Sequence, residues 1–153
     1  MKLITRQFLR NCDACYSDDK IASLVPARGL PLLKILSLNI PAHDRIWVAT
    51  LPDVLSFSVK YEWLARLVER SLARVQNPDP RSLAVVPLLR RISSDDTVPQ
   101  QEIAAAWDAA RAAAWAAARA AARDAAWDAA WDAAWAAQLQ DTIEVLKALR
   151  RTK

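Results

Sequence analysis

Two cysteines at a CxxC spacing, a histidine beside an aspartate, and arginines four residues apart are the residues whose types and placement point to chemistry. Cys12 and Cys15 match the spacing of a redox pair or of half a zinc site. Zinc takes four ligands, yet His43 is the only histidine and there is no second cysteine pair. A redox CxxC opens a helix after a strand, and no strand signal precedes Cys12. The pair therefore reads as buried or half-buried helix cysteines. His43 and Asp44 are sequence neighbours rather than a triad, so a surface or capping role is expected of them. No glycine-rich phosphate loop, nucleophile elbow or metal cluster is present. The expectation is a protein without a cofactor or metal, and not an enzyme.

Arg66, Arg70 and Arg74 recur at i,i+4 on one side of a helical segment over 58–76, whose other side carries Trp63, Leu64, Leu67, Val68, Leu72 and Val75. With Arg90 and Arg91 they form a basic stripe suited to phosphates or an acidic partner. Glu62 and Glu69 partly neutralise it, so a solvated face is the competing reading.

The tract over 104–137 is alanine-rich and carries Trp107, Trp115, Trp127, Trp131 and Trp135 at multiples of four. Alanine is the best helix former, and neither Gly nor Pro occurs after Pro99. A four-residue step overshoots the helical turn by about 40°, so the stripe winds around the helix. With Trp107 at zero, Trp115 falls near 80° and Trp127, Trp131 and Trp135 near 200°, 240° and 280°, at about 100° per residue. One flat neighbour cannot cover both halves. The helix is embedded among others, or bent or broken between the halves. Arg111, Arg119 and Arg123 occupy tryptophan positions of the tetrad, with a Trp four residues away, which predicts cation–π contacts. Asp108, Asp124, Asp128 and Asp132 form a row that faces water or arginines elsewhere. The tryptophans either serve the core or form an exposed binding stripe. In the second case the partner-binding residues are Trp107, Arg111, Trp115 and Arg119, beside the Arg66, Arg70 and Arg74 stripe.

Short helices must position these groups. Thr5 caps a helix over 6–16, Ser17-Asp18-Asp19 is a turn or a cap for one over 20–25, Pro31 starts 32–38, and 42–50 follows Pro41. Asp79 and Pro80 read as cap and first residue of a helix to Ile92, kinked at Pro87. The segment 94–99 is the clearest linker, and Thr97 with Gln100 opens the alanine tract as a capping box. A straight helix over 100–150 would run about 75 Å, against a diameter of roughly 40 Å for a compact domain of this length. The helix projects, pairs with a copy in a homodimer, or folds back, with breaks at Asp124 or at Asp141-x-x-Glu144. The fold expected is all-α: several short helices packed around a long alanine-rich C-terminal helix or helical hairpin. It is taken as one domain over 1–153, with a short-helix part at 1–93 and the alanine/tryptophan part at 100–150.

Composition narrows the function classes. The net charge of +4 is too small to demand a nucleic acid. Arg6, Arg10 and Asp13 interrupt any N-terminal apolar stretch, so no signal peptide is read. No uncharged apolar run reaches membrane-spanning length. A cytoplasmic protein without membrane attachment is expected.

The residues 79–83, 111–119 and 124–131 resemble a group of bacterial and prophage proteins regarded as immunity proteins of toxin–immunity systems. Residues 9–15 are similar to their N-terminal region, while the proline-marked stretch 30–56 departs from it. The resemblance implies an α-helical, non-enzymatic protein whose work is binding. The first expectation is thus a small inhibitor of a protein partner: a toxin, or a bacterial defence complex as for phage anti-CRISPR proteins. Nucleic-acid binding through the arginine stripe and helical self-assembly are the alternatives.

Overall fold

The computed structural model describes residues 3–75, 78, 80–95, 97–122 and 127–151, with the side chains of 81, 114, 116–122 and 127–130 left out. The chain is all-α; among the described residues the only β pairing is a single antiparallel bridge between Ile4 and Leu30. It divides into two compact units, Met1–Leu55 and Ser56–Lys153. The division between the units falls at Leu55, and the 94–99 segment lies within the second, where Val98 is buried in the core.

The first unit holds α1 (Arg6–Asn11), α2 (Asp18–Leu24), α3 (Leu32–Ile35) and α4 (Ala42–Thr50). Thr5 caps α1 by accepting from the Phe8 amide at 3.1 Å, and Ser17 caps α2 by accepting from Lys20. α1 stops well short of Tyr16. Asp13 adopts φ +56°, its amide donates to Arg10, and the Ala14 amide donates to Leu9 at 3.1 Å. This is a left-handed C-terminal cap of the Schellman type, with Asp in the place glycine usually takes. α4 spans the expected 42–50, whereas α3 closes after one turn.

The single glycine stands where no other residue fits easily. Gly29 has φ +81°, and a Cβ there would lie 2.8 Å from the Ile4 carbonyl oxygen. The close approach sets up the bridge, in which Ile4 and Leu30 exchange amide–carbonyl bonds of 2.8 and 3.0 Å. Arg6 then donates to the carbonyls of Val25 and Ala22 at the end of α2. Ile4, Leu9, Ile21, Val25, Ile35 and Val48 are among the buried residues of this unit.

The second unit is built on α5 (Phe57–Leu72), which packs against α7 (Val85–Ser94), α8 (Gln100–Ala122) and α9 (Trp127–Arg151). Between α5 and α7 lies the single turn α6 (Pro80–Leu83). The expected helix kinked at Pro87 is two helices. Proline has no amide to give and its ring clashes with the carbonyl four residues back. The chain therefore restarts at Val85, which puts Pro87 in a first turn where no amide is needed. The Asp79 cap lies outside the described residues. Thr97 does not cap α8. Its amide and hydroxyl both donate to Asp95 Oδ1, at 2.9 and 2.6 Å, and the helix opens after Pro99.

The alanine tract folds back on itself. Trp115 and Trp131 are sixteen residues apart, about 24 Å along one straight helix, yet their ring centroids are 5.0 Å apart. α8 and α9 are thus the arms of a helical hairpin, which resolves the conflict between tract length and domain size. The Asp124 cap lies outside the described residues. No break occurs at Asp141, which sits inside α9.

Alanine, not tryptophan, forms the inner face of α8. Ile103, Ala106, Ala110 and Ala113 are buried in one core with Ala65, Val68, Leu72, Val85, Leu89 and Ile92. With Trp107 again at zero, this stripe spans about 240–320°, and Trp115 at about 80° lies on the opposite side. Among the described tryptophans the fully buried one is Trp63 on α5, 1 % exposed. In α9 the inner face is Leu139, Thr142, Val145 and Leu146, joined by the carboxylate of Asp141.

Candidate functional site

The hairpin gathers tryptophans from both arms. Trp115 of α8 is 48 % exposed. Its ring meets Trp131 at 5.0 Å with a 54° tilt. Trp131 meets Trp135, one turn further along α9, edge to face at 6.2 Å. Both arrangements are the offset or tilted geometries that aromatic quadrupoles favour. Trp131 and Trp135 are half-buried. The cluster is thus anchored at its α9 side and open at Trp115. Sequence reading placed Trp131 and Trp135 in the tetrad but not beside Trp115. The signal was their angular position, which one unbroken helix axis sent to the far side.

Arg111 lies one turn before Trp115 on α8 and is exposed. It pairs with Asp108 at 2.9 Å instead of lying over Trp107 or Trp115. The cation over Trp107 is Lys60 of α5, its Nζ 5.0 Å from the ring centroid. Burial holds the Lys60 ammonium below its ordinary value of 10.5. Trp107 itself is half-buried against the core, so it is less available than Trp115. The Arg119, Arg123 and Trp127 side chains lie outside the described residues. In the aspartate row, Asp108 and Asp132 are exposed.

Arg66 and Arg70 of α5, and Arg74 just past its end, point into ion pairs within the unit. Arg66 donates to Glu62 at 2.6 Å. Arg70 bridges Asp141 at 2.9 Å and Glu144 at 2.8 Å, and Arg74 reaches the second Asp141 oxygen at 2.7 Å. Hydrogen bonds to Glu144 and then Asp141 raise Arg70 above its ordinary value. Those from Arg70 and then Gln140 hold Glu144 below its own. The motif Asp141-x-x-Glu144 is therefore a clamp on α5, not a capping box. On α7, Arg90 pairs with Glu69 at 2.8 Å and Arg91 with Glu102. The structure thus separates the candidates: Trp115 and Arg111 stand together at the surface, while Arg66, Arg70 and Arg74 bind carboxylates of their own unit.

The remaining chemistry-bearing residues lie in the first unit. Cys12 and Cys15 flank the left-handed turn that closes α1, so the CxxC ends a helix instead of opening one. Both are free thiols, Cys12 half-buried and Cys15 exposed. Among the described residues no group of His, Cys, Asp and Glu could hold a metal ion. His43 is exposed, with Nε2 3.3 Å from Asp44 Oδ1.

Among the described residues no helix is long and apolar enough to cross a membrane. Comparison with protein families, with curated proteins and with solved structures finds no match for this chain.

Proposed function

We propose that the chain is a non-enzymatic, cytoplasmic inhibitory binding protein that occludes a protein partner, either the toxin of an immunity pair or a bacterial defence complex. The observation that carries this reading is Trp115, a large apolar side chain 48 % exposed and buttressed by Trp131. Exposed tryptophan held rigidly beside an arginine is the composition of an interface hot spot. Its rigidity matters, because a side chain already fixed by its neighbours loses little freedom on binding. Arg111 supplies a charge at the edge of the same surface.

Nucleic-acid binding is less well supported. Arg66, Arg70, Arg74, Arg90 and Arg91 each pair with a carboxylate, so a phosphate would have to displace a partner already in place.

The test is a comparative pull-down from host lysate, using the intact protein and the double variant Trp115→Ala/Arg111→Ala, with and without nuclease. A stoichiometric protein retained through nuclease by the intact protein and lost by the variant is the expected result. Equal capture by both removes the proposed face. Capture abolished by nuclease puts the nucleic-acid reading first.

A further inference from the structure

The first unit encloses a pocket of about 450 Å³. This lies within the roughly 300–1,000 Å³ of small-molecule sites. Its floor is apolar, including the buried Leu9, Ile21, Ile35 and Val48. It opens to solvent between Asp13, Cys15 and His43, all exposed. On its wall the Tyr16 hydroxyl donates to Asp44 Oδ2 at 2.5 Å. That bond, with burial and the Asp44 charge behind it, pushes Tyr16 up to about 12. Tyr16 thus keeps its proton at neutral pH and fixes the orientation of the carboxylate.

Apart from His43, the charged side chains at this wall have one sign. The lining contains the carboxylates of Asp13 and Asp44 and neither Lys nor Arg. An ionised carboxylate accepts about four hydrogen bonds. Asp44 receives one from Tyr16 on Oδ2 and faces His43 Nε2 on Oδ1, so accepting capacity remains. It also lies in the first turn of the nine-residue α4, the end of a helix where negative charge is favoured. An anionic ligand would meet like charge, and a neutral one would leave the carboxylate unused.

We propose that this pocket binds a small apolar molecule carrying one protonated amine, its body on Leu9, Ile35 and Val48 and its ammonium on Asp44. The site is independent of the tryptophan face, which belongs to the other unit.

Three probes of one shape test this on the full-length protein: naphthylethylamine, naphthylacetate and ethylnaphthalene, titrated by calorimetry. The amine is expected to bind about tenfold or more tighter than the other two, the effect of one charge-assisted hydrogen bond. Asp44→Asn should weaken the amine about tenfold and erase its advantage over ethylnaphthalene, whereas Tyr16→Phe, which keeps the carboxylate, should preserve the preference. Cys12 and Cys15 line the pocket and report occupancy. Bound amine should slow their alkylation by iodoacetamide, resolved residue by residue by mass spectrometry. If Asp44→Asn does not fold, the three probes and thiol protection in the intact protein still decide. No binding of the amine, equal binding of all three probes, or binding without thiol protection overturns the proposal.

Discussion

The Arg70 guanidinium donates to the Asp141 carboxylate at 2.9 Å, joining α5 to α9 across 71 residues of sequence. Arg74, one turn on, takes the other oxygen at 2.7 Å. Asp141 is 5 % exposed, so its charge is tolerable only because two cations meet it. The arginines keep much of their surface in water, which screens the attraction from their side.

Asp141→Ala therefore destabilises the protein. The cost expected is about 1–3 kcal/mol, below the full penalty for breaking a buried pair because Arg70 retains Glu144 and both cations can hydrate. Urea unfolding measures it. A double-mutant cycle with Arg70→Ala should show positive coupling, which additive losses would refute.

Much of the architecture could be read from the residues. Thr5, Ser17, Pro31 and Pro41 announce helix starts through local chemistry, and α4 falls on its expected bounds. The alanine tract announces helix just as clearly. What it could not announce was direction. Alanine offers a similar surface all round, so the sequence did not show which face α5 would take, and it offered breaks at Asp124 and at Asp141 without choosing between them. Asp141 and Glu144 misled for a related reason: a capping box and an interhelical clamp use the same residue types, and only the distant arginines distinguish them. The pocket of the first unit gave no periodic signal, since its wall joins Tyr16 to Asp44 across 28 residues.

Tyr16 and Asp44 make the alkaline behaviour predictable. The ordinary tyrosine value is 10.0, and Tyr16 in the folded protein stands at about 12. A raised folded value means stability fully present below pH 10 and lost as pH rises toward 12. Tyr61, raised by burial, adds to the loss in the same direction. Lys60, lowered by burial, works against it, since its neutral form is the better tolerated. Phenolate absorbance should show both tyrosines titrating late. Asp44→Asn should bring Tyr16 back toward 10.0, with the Tyr16→Phe variant identifying which phenol has moved. An unchanged titration would mean that the carboxylate does not hold the hydroxyl.

Gly29→Ala should weaken the first unit. A left-handed φ costs a non-glycine residue about 1–2 kcal/mol, and the added Cβ meets backbone, the Ile4 oxygen at 2.8 Å, instead of a side chain able to swing away. The loss should reach at least about 2 kcal/mol in a thermal or urea melt. Hydrogen exchange at the Ile4 and Leu30 amides should accelerate more than at buried amides of α5.

The division of α8 into an alanine face and a tryptophan face sets two substitutions against each other. Ala110 is buried against the α5–α7 core, so Ala110→Leu forces added methylenes into a close helix contact, with an expected cost of about 1–3 kcal/mol. Trp115→Ala removes a far larger side chain from a half-exposed position. It forfeits the Trp131 contact, worth about 0.5–1.5 kcal/mol for such a ring pair beyond area burial, and opens no closed cavity. The small addition inside is therefore expected to harm stability at least as much as the large deletion outside, while partner capture should respond in the opposite order. Unfolding curves and pull-downs on the same two variants check both halves. If Trp115→Ala proved the more destabilising and Ala110→Leu were neutral, tryptophan rather than alanine would be the inner face of the helix, and Trp115 could not serve as the binding surface.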